Sequence, residues 1–74
     1  MRNKIYLDGY KDAIEFNAIC QTFGEDVSVT VTDGGNHRVN GKSLLGVLYT
    51  LEFNQLIVES NVDIYKQIEK FIVI

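Results

Sequence analysis

The chain has 74 residues, of which 46% are hydrophobic and 23% charged, with a net charge of −3 and an isoelectric point of about 4.9. That length makes one small domain, residues 1–74, burying only about 60% of its unfolded surface, while the apolar content excludes a disordered chain. The acidic balance without a basic cluster argues against nucleic acid, and the apolar part of the N-terminus is too short for a leader or a membrane span. A lone cysteine, Cys20, leaves no internal disulfide, which fits a cytoplasmic protein.

In chain order, Lys4–Leu7 reads as a short strand with Ile5 and Leu7 inward and Tyr6 outward. Asp12 then stands as an N-cap, with Glu15 three residues on in capping-box spacing, for a helix running to about Phe23. Ala13, Phe16, Ile19, Cys20 and Phe23 line one apolar face of it, and Gly24 closes it at C′. In Asp26–Thr32, Val27, Val29 and Val31 alternate with Ser28, Thr30 and Thr32, the pattern of a strand with one polar face. Asp33-Gly34-Gly35-Asn36 is a turn, and His37–Asn40 the returning hairpin strand with Val39 inward.

Ser43 opens a second helix whose apolar face is Leu44, Val47, Leu48 and Leu51, with Leu45 off that face. Gln55–Glu59 is a further strand. Ser60 or Asn61 caps a last helix carrying Ile64, Tyr65, Ile68, Phe71 and Ile72 inward, and the final Phe-Ile-Val-Ile frays into strand or coil. The order β-α-β-β-α-β-α, with one-faced helices and half-buried strands, predicts an α+β fold of two layers with all helices on one side.

Gly41-Lys42-Ser43 is the tail of a phosphate-binding P-loop, G-x-x-x-x-G-K-[ST]. The first glycine of that motif falls on Asn36, and Gly35 is one residue too far from Gly41. The intervening segment also reads as strand, so a nucleotide loop is set aside.

The same letters fit another pattern. The run Val39-Asn40-Gly41-Lys42-Ser43-Leu44-Leu45-Gly46-Val47-Leu48, in this order of elements, resembles the HPr family. HPr is the histidine-containing phosphocarrier of the bacterial sugar phosphotransferase system. Val39, Asn40, Lys42, Ser43, Gly46 and Val47 match its "VN-x-KS-aliphatic-aliphatic-G-V" stretch. The resemblance implies an open-faced sandwich, a four-stranded antiparallel sheet in order 1-4-2-3 under three helices. It also implies a phosphorylated histidine just before the first helix, followed by Ala-Arg-Pro. The equivalent region here, Leu7–Ala13, has no histidine, arginine or proline, and the linker Glu52-Phe53-Asn54 is short. Phosphohistidine transfer needs an imidazole nitrogen, and the single histidine, His37, lies in the hairpin.

The expectation is therefore a non-enzymatic, HPr-like protein that has lost the phosphocarrier role and acts by regulation or protein interaction. The alternatives are residual phosphotransfer, or a diverged module with an unrelated partner. In the family the serine matching Ser43 is a phosphorylation site in Gram-positive bacteria, and the apolar residues matching Leu44 and Leu45 dock partners. Lys42 would add a cation beside the phosphate. The other reading of Ser43 is a plain N-cap, and of Leu45 ordinary exposed apolar area. The implied partner is a kinase or regulator of the HPr network. Neither cofactor nor metal is implied: His37 has no companion ligands, and Cys20 reads as a core residue.

Overall fold

Alternation along the chain produces a sheet with two unlike faces. The computed structural model describes residues 1–74. It has four strands: β1 (Arg2–Lys4), β2 (Val29–Asp33), β3 (Asn36–Asn40) and β4 (Leu56–Ser60). Three helices, α1 (Gly9–Gln21), α2 (Leu44–Tyr49) and α3 (Tyr65–Ile68), complete the order β1-α1-β2-β3-α2-β4-α3, and single 3-10 turns extend α2 and α3. The fold is α+β. All strand pairs are antiparallel and the order is β1-β4-β2-β3, the open-faced sandwich expected above.

Because successive strand residues point to opposite faces, the register assigns each side. Val31 pairs with Val58, and Val29 with Ser60. These valines and Leu56 face the helices, where Ala13, Phe16 and Cys20 of α1, Val47 of α2 and Ile68 of α3 close the core. Phe16 meets Phe71 edge-to-face with ring centroids 5.7 Å apart, the geometry that adds to simple burial. Each fully buried side chain of this size contributes roughly 1.5–3 kcal/mol. The other face presents Arg2 and Lys4 of β1, Ile57 and Glu59 of β4, Thr30 and Thr32 of β2, and Arg38 and Asn40 of β3.

Several local expectations need correction. Helix α1 starts at Gly9, not after Asp12. Gly9 takes φ +78°, turning the chain into the helix, and Asp12 lies inside the first turn, where its carboxylate accepts the Asp8 N–H at 2.9 Å. Asp12 thus fastens the helix start from within. At the other end Gly24 is not a left-handed terminator. The last turn tightens instead, with the Thr22 and Phe23 amides on the Ile19 and Cys20 carbonyls.

Strand β2 begins at Val29 because the Val27 amide is taken by the Gly24 carbonyl in a turn. Thr32 is wholly buried although its side is open, since its hydroxyl accepts the Gly35 N–H as the hairpin turn folds over it. Neither Ser60 nor Asn61 caps α3: Ser60 ends β4, and Asn61 bridges the Ser28 amide and the Asp26 carbonyl. The final Phe-Ile-Val-Ile does pair: Ile72 bridges Ile5, and the Val73 amide donates to the Lys4 carbonyl at 3.0 Å. That contact covers the Lys4–Tyr6 end of the β1 edge, and β3 forms the opposite edge of the sheet.

Candidate functional site

The segment Asn40–Gly46 is shaped by close backbone packing. The Gly41 amide donates to the Val29 carbonyl at 2.8 Å. A Cβ on Gly41 would come within 2.8 Å of Val29 Cγ1 and 3.3 Å of the Val29 carbonyl oxygen, closer than real carbon contacts allow. Gly41 is required here by contact, not by φ. Asn40 Oδ1 accepts the Lys42 N–H at 2.9 Å, the side-chain turn that asparagine favours. From α1, the buried Asn17 amide donates to the Gly41 carbonyl at 3.1 Å, and Gln21 Nε2 donates to Asn17 Oδ1 at 2.8 Å. The VN-x-KS letters therefore encode a pinned turn.

Ser43 caps α2 as expected: its hydroxyl oxygen accepts the Gly46 N–H at 3.1 Å. Gly46 lets the chain close here, since a Cβ on it would lie 3.3 Å from the Asn40 carbonyl and 3.4 Å from Ser43 Oγ. Ser43 itself is exposed. The Lys42 ammonium is spent within the chain, donating to the Gly24 carbonyl at 2.8 Å. The exposed neighbours of Ser43 are the leucines. Leu45 is 80% exposed. Leu44 does not join the core face as its spacing suggested; it is 42% exposed, leaving Val47 as the buried residue of α2.

The structure adds residues that the sequence reading left out. Leu45 and Tyr49 stand one turn apart on the outer side of α2, and Phe53, four residues further on, is half-buried against the core. Tyr49 is exposed and meets Phe53 edge-to-face at 5.6 Å, and Phe53 lies 6.3 Å from the ring of His37. His37 is an exposed strand residue at φ +53°, beside the register shift between Val31 and Asp33. On α1, Tyr10, Ile14, Asn17 and Gln21 follow one helical stripe. Its lower members bond to the Gly41–Lys42 turn, so its upper members, Tyr10 and Ile14, stand on the α2 side. Both are exposed. The signal available in the sequence was the i, i+4 repeat of apolar residues off the core face.

Chemistry-bearing groups are sparse. Burial pushes the Cys20 thiol up to about 12, with the Lys42 charge pulling the other way. It stays protonated at neutral pH, where only a thiolate would be a nucleophile. A cavity of about 630 Å³ opens between Lys4–Leu7 and Thr50–Leu56, beside the start of α1, and Lys4 and Tyr6 are the ionisable side chains on its wall. No three His, Cys, Asp or Glu side chains gather in a metal-binding group. No helix is long and apolar enough to cross a membrane. No family model, curated protein or solved structure matches the chain.

Proposed function

We propose that this chain is a cytoplasmic, non-enzymatic docking protein, a diverged HPr-like module without the phosphocarrier histidine, regulating bacterial sugar phosphotransferase or carbon signalling. One observation carries the docking role: Leu45 projects from α2 at 80% exposure, with Leu44 and Tyr49 exposed on the same helix and Tyr10 and Ile14 exposed on the neighbouring α1. Large apolar side chains grouped in this way mark interaction surfaces, and buried aromatic anchors carry much of the energy of such contacts. The HPr assignment is supported by the strand order and by the Val39–Val47 pattern. Ser43 borders the leucines, so a phosphate there would add close to two negative charges at the rim of the surface. The partner is a kinase or regulator of the HPr network.

The test is an NMR shift titration of the labelled chain against purified HPr kinase and the carbon regulator that binds phosphorylated HPr. Shifts should centre on residues 43–49 and 10–14, and Leu45→Lys should weaken binding by at least tenfold, the loss expected when an anchor is replaced by a charge. With the kinase and ATP, one phosphoryl group should appear on Ser43 and be absent from Ser43→Ala. Unchanged binding by Leu45→Lys overturns the docking surface. An unmodified Ser43 at every kinase concentration overturns the phosphorylation.

A further inference from the structure

The open face of the sheet carries a second unpartnered surface of different chemistry. Arg2, Lys4 and Arg38 share it with one carboxylate, Glu59, in a chain whose net charge is −3. Three cations against one carboxylate leave this face net positive, while the other four lysines and nine carboxylates lie elsewhere in the chain. Glu59 binds both guanidiniums: Arg38 Nη1 donates to its Oε1 at 2.7 Å and Arg2 Nε to its Oε2 at 3.2 Å. The brace crosses the sheet from β1 through β4 to β3, passing over Thr30, the residue paired with both Glu59 and Asn40.

Each guanidinium spends one nitrogen on Glu59 and keeps further N–H groups for solvent. The two side chains are 61% and 62% exposed. Beneath them Ile57 is only 7% exposed although no helix covers this side. Arg2 reaches across toward the hairpin turn, its Nη2 lying 3.9 Å from where a Cβ on Gly35 would sit. The floor therefore sets the apolar Ile57 beside Thr30 and Thr32, and the top layer is a pair of pre-positioned planar cations. Guanidiniums held in this way lose little freedom on meeting a carboxylate and can bind it bidentately.

We propose that this face docks an acidic segment of a protein partner, with Arg2 and Arg38 taking its carboxylates and Lys4 adding charge at the β1 edge. Charge complementarity selects that occupant. A nucleic-acid strand fits less well, because the chain is net acidic and Tyr6, continuing the outward side of β1, is the one ring on this side that could stack a base. The surface lies opposite the helix layer and does not depend on the docking role of Leu45.

The experiment is a shift titration of the full labelled chain with a short peptide of alternating Asp and Glu. Its controls are the matching Asn/Gln peptide and an oligouridine of similar length. Shifts should fall on Arg2, Lys4, Thr30, Arg38 and Glu59 and spare α2. Affinity should drop several-fold as salt shortens the screening length from about 30 Å to about 10 Å. The double variant Arg2→Gln, Arg38→Gln should lose at least about tenfold in affinity, while Leu45→Lys binds the peptide as the parent chain does. Because both arginines are exposed, the variant's own spectrum checks that the fold is kept. Equal binding of the neutral peptide, tighter binding of oligouridine, shifts centred on the helices, or no binding at millimolar peptide would each overturn the proposal.

Discussion

At its C-terminal end α1 is tied to the turn before α2 by Asn17 and Gln21, and Lys42 returns to the Gly24 carbonyl. At its N-terminal end Asp8 makes no side-chain cap, Gly9 has nothing within 4 Å of its Cβ position, and Tyr10 is 70% exposed. One helix thus has a closed end and an open end. The Asn40–Ser43 motif belongs to the closed end, where most of its polar groups are used internally. The apolar residues available to a partner lie along the open part of α1 and the outer side of α2. A distinctive run of letters here records how tightly the backbone is packed, and the proposed docking surface sits beside it.

The largest effect that would break this contrast is expected at Gly41. Gly41→Ala drives a methyl into Val29, whose branched side chain and carbonyl both block it. Overpacking costs about 1–3 kcal/mol, and this site should reach the top of that range because a strand backbone is among the obstacles. Urea unfolding should show a lower midpoint with an unchanged slope. A loss below about 1 kcal/mol would mean that β2 yields easily, and the closed end would not be closed.

Asn17→Ala comes next. It strips the Gly41 carbonyl of its buried donor and leaves Gln21 only its longer bond, 3.4 Å, to the Lys42 carbonyl. An orphaned buried polar group costs about 1–3 kcal/mol, so a loss near 2 kcal/mol is expected. Because the shorter of Gln21's two bonds is to Asn17, the double variant with Gln21→Ala should be less destabilised than the sum of the singles in a double-mutant cycle. Strict additivity would show that the two side chains do not form one unit.

The same contrast explains what could be read from the sequence. Periodicity found the core: Phe16, Cys20, Val29, Val31, Val47 and Ile68 are all buried as their spacing required. The Ser43 cap was legible because its signal is local, a hydroxyl three residues before the amide it accepts. The need for glycine at position 41 was not, because the obstacle is Val29 on another strand. Nor was the pairing of Ile72 with Ile5, which joins the two ends of the chain. The start of α1 was misplaced because Asp12 looks like a cap from its neighbours alone, while its carboxylate reaches back to Asp8 from inside the first turn. The Arg2–Glu59–Arg38 brace was hidden for a similar reason: its members come from three strands. The open apolar surface was half legible, since Leu45 fell off the core face by spacing but Leu44 was assigned to the core.

The smallest effects should come from the open end. Gly9→Ala must hold φ +78°, which costs an L-residue about 1–2 kcal/mol. Alanine's better helix preference offsets part of that. With no atom near the new methyl, a net loss of about 1 kcal/mol is expected in thermal unfolding, well short of Gly41→Ala. One glycine is required by its neighbours and the other only by its own backbone angle, so the ratio of the two losses measures how unlike the ends are. Tyr10→Ser goes further toward zero: exposed and off the core, it should stay within about 0.5 kcal/mol of the parent. It should nevertheless weaken binding at the docking surface proposed around Leu45, because Tyr10 stands on the α2 side of the same helix layer. A Tyr10→Ser chain that is strongly destabilised would place that ring in the core's service, and the open end would have to be redrawn as part of the fold.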